Sequence, residues 1–191
     1  TEGVVQTFPT NAPQNTILFI LGELPDLYVS NFESNTSDWV AGDPSDTATA
    51  GLWELAEPSA SYNDAGNLVQ PGEDNSEEGT FCFITGNGYE EGNGGFDDVD
   101  AGKTTLYSPV FNFNGLDEVL LTYWRWYTNN IGDNGGNDLW QVLVSNDSGN
   151  SWQDLHISSS SNTDWEKKQI ILSDSFDLSD SMQFKFIAED I

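Results

Sequence analysis

Apolar and polar residues alternate with a period of two in three stretches of the chain. Over 118–128, Val119, Leu121, Tyr123, Arg125 and Tyr127 share one face, and Leu120, Thr122, Trp124 and Trp126 share the other. Both faces are largely apolar, which predicts a central strand covered on part of both sides. Over 139–144, Leu139, Gln141 and Leu143 oppose Trp140, Val142 and Val144. Over 182–189, Met182, Phe184, Phe186 and Ala188 oppose Gln183, Lys185, Ile187 and Glu189, the pattern of a strand with one core face and one wetter face. Shorter β-like runs at 27–33, 39–41, 51–56, 80–85, 103–108, 110–113, 152–157 and 165–172 are separated by Gly, Asn, Asp and Ser. No window of eleven or more residues has a clean period of 3.6 free of Gly, Pro and β-branched residues. The pattern predicts an all-β fold, an antiparallel jelly-roll β-sandwich.

Residues 1–26, with Pro9, Pro13 and Pro25, read as an N-terminal arm or linker with one short strand at 16–21; the sandwich domain occupies 27–191. Two connections, 57–79 and 86–102, are long and polar, and loops of that length carry a site or are disordered. Residues 129–137 form a glycine-rich connection between strands. Ser145 to Trp152 reads as a hairpin turn, with Asp147 capping it and Gly149 at positive φ.

Charge narrows the partners. The 191 residues hold 32 acidic and 5 basic side chains, a net charge of −27, and every basic residue lies at or beyond Lys103. Phosphate backbones and anionic membranes are therefore excluded as partners. Aromatic residues make up 13% of the chain, which argues for a packed core rather than the disorder that high charge alone suggests. The longest apolar run, Ile17 to Leu21, is too short to span a bilayer, so no membrane insertion is expected. Cys82 is the only cysteine and sits in a strand-like run, which predicts a buried thiol and no disulfide. The chain reads as an excised piece of a longer protein.

Carboxylates in loops are the leading candidates for chemistry. Asp98 and Asp100, two apart in Asp97-Asp98-Val99-Asp100, point the same way if extended and could pinch a calcium ion, with neighbouring glycines turning carbonyls inward. The spacing is not that of an EF-hand. Asp46 is either a turn cap or a ligand, and Asp43 and Asp74 lie in similar acidic loops. Glu33 and Asp190 could join a cation linking first and last strands. Trp124 and Trp126, with Trp140 one strand away, could present flat faces to sugar rings while Arg125 and Gln141 supply hydrogen bonds; filling the core is the competing role for these Trp residues. His156 is the sole histidine, which rules out a two-histidine zinc site within the chain, and no Gly-x-Ser-x-Gly elbow accompanies it. The chain itself is expected not to be an enzyme.

Several stretches in order carry a family likeness. They run from Gly42-Asp43 and Asp46-Thr47-Ala48 through Gly51-Leu52-Trp53-Glu54, Val69-Gln70-Pro71 and Gly79 to Gly88. They continue with Asp98 to Phe111, Tyr123 to Asn129, Val144 to Asp147 before Ser151-Trp152, Trp165, and Phe184 to Asp190. Over about residues 29–190 the chain resembles the MAM-like (concanavalin-like) jelly-roll domains of secreted bacterial proteins, in particular the accessory domain following the catalytic unit of certain zinc carboxypeptidases. The resemblance implies a secreted or cell-surface multidomain parent, possessing in some cases peptidase activity, and a non-catalytic domain for binding, adhesion or positioning. It implies calcium near Asp98 and Asp100, with Asp43 or Asp46 and Asp74 as further ligands, and a glycan or protein ligand outside the cell. Carbohydrate binding through surface aromatics and a purely structural spacer or assembly role are the alternatives. Such domains usually continue past the equivalent of Asp190 with one more strand, so the resemblance also implies a chain or segment that completes the sheet and covers an exposed edge.

Overall fold

The computed structural model describes residues 25–88, 98–130, 135–172 and 176–191, and the backbone of two short strands, β1 (Thr7–Phe8) and β2 (Ile17–Leu18), which pair with each other. Most of the arm, residues 89–97 of the second long loop and residues 131–134 of the glycine-rich connection lie outside the described residues. The other strands are β3 (Val40–Ala41), β4 (Trp53–Ala56), β5 (Ser61–Tyr62), β6 (Leu68–Gln70), β7 (Cys82–Thr85) and β8 (Gly102–Tyr107). They are followed by β9 (Val119–Tyr127), β10 (Trp140–Ser145), β11 (Gln153–Ser158), β12 (Asn162–Leu172) and β13 (Gln183–Asp190). Every strand pairing among the described residues is antiparallel. The architecture is thus all-β and built of several sheets, as the short alternating runs require.

The largest sheet has the order β11-β10-β13-β8-β3; β12-β9, β4-β7 and β5-β6 are two-stranded. Alternation decides what each strand buries. Trp140, Val142 and Val144 of β10 and Phe184 and Phe186 of β13 point into one cluster with Leu106 of β8. Val119 of β9 and Leu172 of β12 enter the same cluster, with Leu121, Tyr123 and Tyr127 packed against it. The five-stranded sheet and the β9–β12 pair therefore share one hydrophobic core, in which Val142, Leu172 and Met182 are fully buried. Burying a large aliphatic side chain contributes roughly 1.5–3 kcal/mol, so this cluster is the main source of stability.

Three sequence expectations change. The run 27–33 is not a strand: its end is turned by Phe32 and nearby Asn35, both at positive φ. The run 110–113 makes only a single bridge, Phe111 with Met182. Within the polar stretch 57–79, two very short strands form, β5 and β6. The strand over 118–128 is present, but among the described residues β9 is hydrogen-bonded to a neighbour on one edge only, β12.

Candidate functional site

The surroundings of the loop carboxylates decide between cation ligand and loop tie. Asp46 Oδ2 accepts hydrogen bonds from the backbone N–H of Asp43 and of Thr105, both at 2.9 Å, and Oδ1 accepts from the Thr105 hydroxyl at 2.7 Å. It closes its own turn and fastens that turn to β8. Asp43 Oδ1 accepts from the Ser45 N–H at 2.7 Å and hydroxyl at 2.6 Å, while Oδ2 accepts from the Tyr107 hydroxyl. The Ser45 hydroxyl, then that of Tyr107, holds the Asp43 carboxyl down at about 2. Asp74 accepts from the N–H of Asn75 and from the N–H and hydroxyl of Ser76. Gly79 is required beside it, because a Cβ there would collide with Asp74 Oδ2 and Ser76. Glu33 Oε1 accepts from the N–H of Thr80 and of Phe81, each at 2.7 Å, and these bonds lower its pKa.

The backbone of the loop holding Asp98 and Asp100 meets the Asp190 side chain at one end of the large sheet. Asp190 Oδ2 accepts from the Ala101 N–H at 2.7 Å, and the Asp100 carbonyl accepts from the Thr49 N–H at 2.9 Å. Asp100 bridges Ala50, and Gly51, at φ +63°, lies so close to the Asp98 carbonyl that no side chain fits. Asp97 lies outside the described residues. Among the described residues, no group of three or more His, Cys, Asp or Glu side chains is placed to hold a metal ion. The proposed set of Asp98, Asp100, Asp43, Asp46, Asp74, Glu33 and Asp190 is therefore scattered over several loop ties rather than gathered on one ion.

The aromatic candidates also separate. Trp124 lies on the outer face of β9 and is 47% exposed. Trp126, on the same face, donates from Nε1 to the Val69 carbonyl at 2.8 Å and packs edge-on against Trp165 of β12, with ring centroids 6.3 Å apart. In the β9–β12 register Lys167 lies opposite Trp124 and Gln169 opposite Thr122. Trp140 belongs elsewhere: it is 6% exposed and packs in the core against Trp53, Tyr123 and Tyr127. Gln141 donates to Glu189 at 2.8 Å across the five-stranded sheet. Hence Trp124 and Trp126 share a surface, while Arg125, Trp140 and Gln141 do not join it. The outer face instead gains Trp165, Lys167 and Gln169. The sequence marks 165–172 only as a strand-like run; which of its residues lie opposite Trp124 is set by the pairing register, which shifts between Asn162 and Glu166.

Arg125 is 2% exposed and points inward. Its Nη2 donates to the Ser160 carbonyl at 3.4 Å and lies 3.6 Å from Glu166, and its guanidinium sits over the rings of Tyr127 (5.2 Å) and Trp140 (5.6 Å). Nε and Nη1, and the Tyr127 hydroxyl, are buried with no hydrogen-bond partner. A cavity of about 1570 Å³ borders Arg125, Tyr127, Trp140 and Asp138 and extends to β7.

The remaining reactive side chains are quiet. Burial, reinforced by the Asp74 and Glu33 charges, pushes the Cys82 thiol up to about 12, so it carries no thiolate at neutral pH. His156 Nδ1 pairs with the Tyr123 hydroxyl at 3.0 Å, and burial, followed by the Arg125 charge, lowers its pKa. No helix among the described residues is long and apolar enough to cross a membrane. No protein-family model matches the chain, and no curated protein matches it.

Proposed function

We propose that the chain is a jelly-roll β-sandwich of the MAM-like accessory type, a non-catalytic binding domain of a secreted or cell-surface protein, and that it binds glycans through the outer face of β9–β12. The observation that carries this reading is the half-exposed Trp124 beside Trp126 and Trp165 on one strand pair. A sugar ring presents an apolar face to an indole and hydroxyls to planar or cationic partners. Here Lys167 and Gln169 are in register to supply those partners. The Nε1 bonds of Trp126 and Trp165 to the carbonyls of Val69 and Glu73 hold both rings in place before any ligand arrives. A panel of soluble polysaccharides run against the wild type and Trp124→Ala tests it: binding that falls at least about tenfold in the variant, with melting unchanged, supports the reading. Binding that is absent throughout, or indifferent to Trp124, removes it.

Calcium belongs to this reading only at the loop of Asp98 and Asp100, whose backbone is tied to the Asp190 carboxylate and to Thr49 and Ala50. The remaining four carboxylates are taken up by N–H and O–H donors, a fit to loop fastening rather than to an ion. Melting with calcium and with a chelator, on the wild type and Asp98→Asn, decides the point. An ion held only by the folded state raises the melting temperature by mass action, and Asp98→Asn abolishes that rise. Equal melting in all four samples eliminates calcium.

A further inference from the structure

His156 is the only histidine of the chain, and it faces the core rather than solvent. Strict alternation along β11 would bury Leu155 and Ile157 together and turn His156 outward. Instead the β10–β11 register shifts between Val142 and Leu143, which inserts Leu155 as an extra residue. Leu155 packs against the core and His156 turns inward beside it, while Ile157 is left 47% exposed. Burying an imidazole and exposing the neighbouring isoleucine both cost stability, so apolar packing alone does not account for the bulge.

What His156 meets there gives the bulge a purpose. The Tyr123 hydroxyl lies 3.0 Å from His156 Nδ1, and Trp140 Nε1 donates to the same hydroxyl at 3.4 Å. Trp140 and His156 stand on β10 and β11 and Tyr123 on β9, so this chain of bonds joins the five-stranded sheet to the β9–β12 pair. An indole N–H can only donate, so the Tyr123 oxygen accepts from Trp140 and its one proton is given to Nδ1. The imidazole is therefore neutral, with its own proton on Nε2. A proton on Nδ1 converts that acceptor into a donor and forces the Tyr123 hydroxyl to turn its proton away.

The surroundings oppose that proton. Burial comes first, then the charges of Arg125 on β9 and Lys168 on β12, against Glu166 of β12 alone; together they lower the His156 pKa. Tyr123 is held above its ordinary value by burial and stays neutral in the same range. Strand β10 carries no ionisable side chain, and Asp154 of β11 is exposed. A cavity of about 180 Å³ lies between β11 and β12 here, bordered by Leu155, His156, Lys168, Gln169 and Ile170.

We propose that Trp140, Tyr123 and His156 form a proton-sensitive latch between the two sheets, closed while His156 is neutral and released when Nδ1 takes a proton. Mild acid is the signal, and the β11–β12 margin is what loosens. The folded chain binds this proton less readily than the unfolded chain, whose histidine titrates near about 6.5. The latch therefore contributes fully above that value, and its contribution is lost as pH falls from there to the folded pKa.

Nitrogen-15 imidazole shifts of the full chain test the latch without assignment ambiguity, since there is one histidine. The expected result is a neutral ring protonated at Nε2, a midpoint below about 6.5, and an upward move of that midpoint in Tyr123→Phe, which lacks the hydroxyl that favours the neutral ring. A neutral ring protonated at Nδ1, a midpoint at or above about 6.5, or a midpoint indifferent to Tyr123→Phe overturns it. Urea unfolding between pH 8 and 5 supplies the second readout, with His156→Gln cancelling the carboxylate contributions common to both proteins. Relative to that variant, the wild-type unfolding constant should rise by up to about tenfold per pH unit within the window between the two pKa values. Parallel curves for the two proteins contradict the latch.

Discussion

At the scale of single residues, the carboxylates act as fasteners. Asp46 reaches across 59 positions to Thr105 of β8 and Glu33 across 47 and 48 to Thr80 and Phe81 just before β7, so each makes a tie that sequence proximity cannot reveal. This is why an acidic loop reads as a cation site from sequence: the acid is visible, its N–H partner is not. Replacing Asp46 by Ala leaves the Thr105 N–H unpaired and removes three hydrogen bonds, with an expected loss of about 2 kcal/mol in urea unfolding. Asp43 and Asp147 both ionise at about 2 in the folded chain, Asp43 through the hydroxyls of Ser45 and Tyr107 and Asp147 through those of Ser145 and Ser151. Their unfolded value is roughly 3.9, so both contribute stability that is complete above about pH 4 and is lost as pH falls toward 2. Urea midpoints measured at steps between pH 6 and 2 should fall across that window, and Asp43→Asn should fall less steeply than the wild type.

At the scale of elements, β9 shows what a pattern can and cannot tell. Its alternation correctly separates Val119, Leu121, Tyr123 and Arg125 from Leu120, Thr122 and Trp124, and β10 and β13 follow their patterns in the same way. Apolar character on both faces suggested cover on both sides, yet the outer face is where Trp124 and Ile171 stand exposed. Periodicity reports which residues share a face; it does not report which edges are paired. The run 27–33 failed for a different reason: β-like composition there carries no information about the positive φ adopted at Phe32. The two faces of the β9–β12 pair make opposite predictions. Leu172→Ala, in the fully buried core, should cost about 2–5 kcal/mol. Trp124→Ala, on the outer face, should change stability by less than about 1 kcal/mol; thermal melts of the two variants side by side separate the roles.

At the scale of the whole molecule, five basic residues cannot neutralise 32 acidic ones, and those few are partly committed inward: Arg125 in the core, Lys168 to Glu166, Lys185 over Trp152. Self-repulsion of the folded state follows, and it is screened within a Debye length of roughly 10 Å at 0.1 M salt. The melting temperature should therefore rise between 0.01 and 0.5 M sodium chloride, and a flat response would show that the surface charge is already compensated. The same field makes cationic or neutral ligands the natural company of the exposed face, with Lys167 as a local exception beside Trp124. The most direct test of glycan binding there is amide chemical-shift mapping with a polysaccharide that the panel identifies. Binding at this face should perturb shifts centred on Trp124, Trp126, Trp165 and Gln169 of β9 and β12. Perturbations centred instead on the loops of Asp43 to Asp46 or Asp98 to Ala101, with β9 and β12 unmoved, would contradict it.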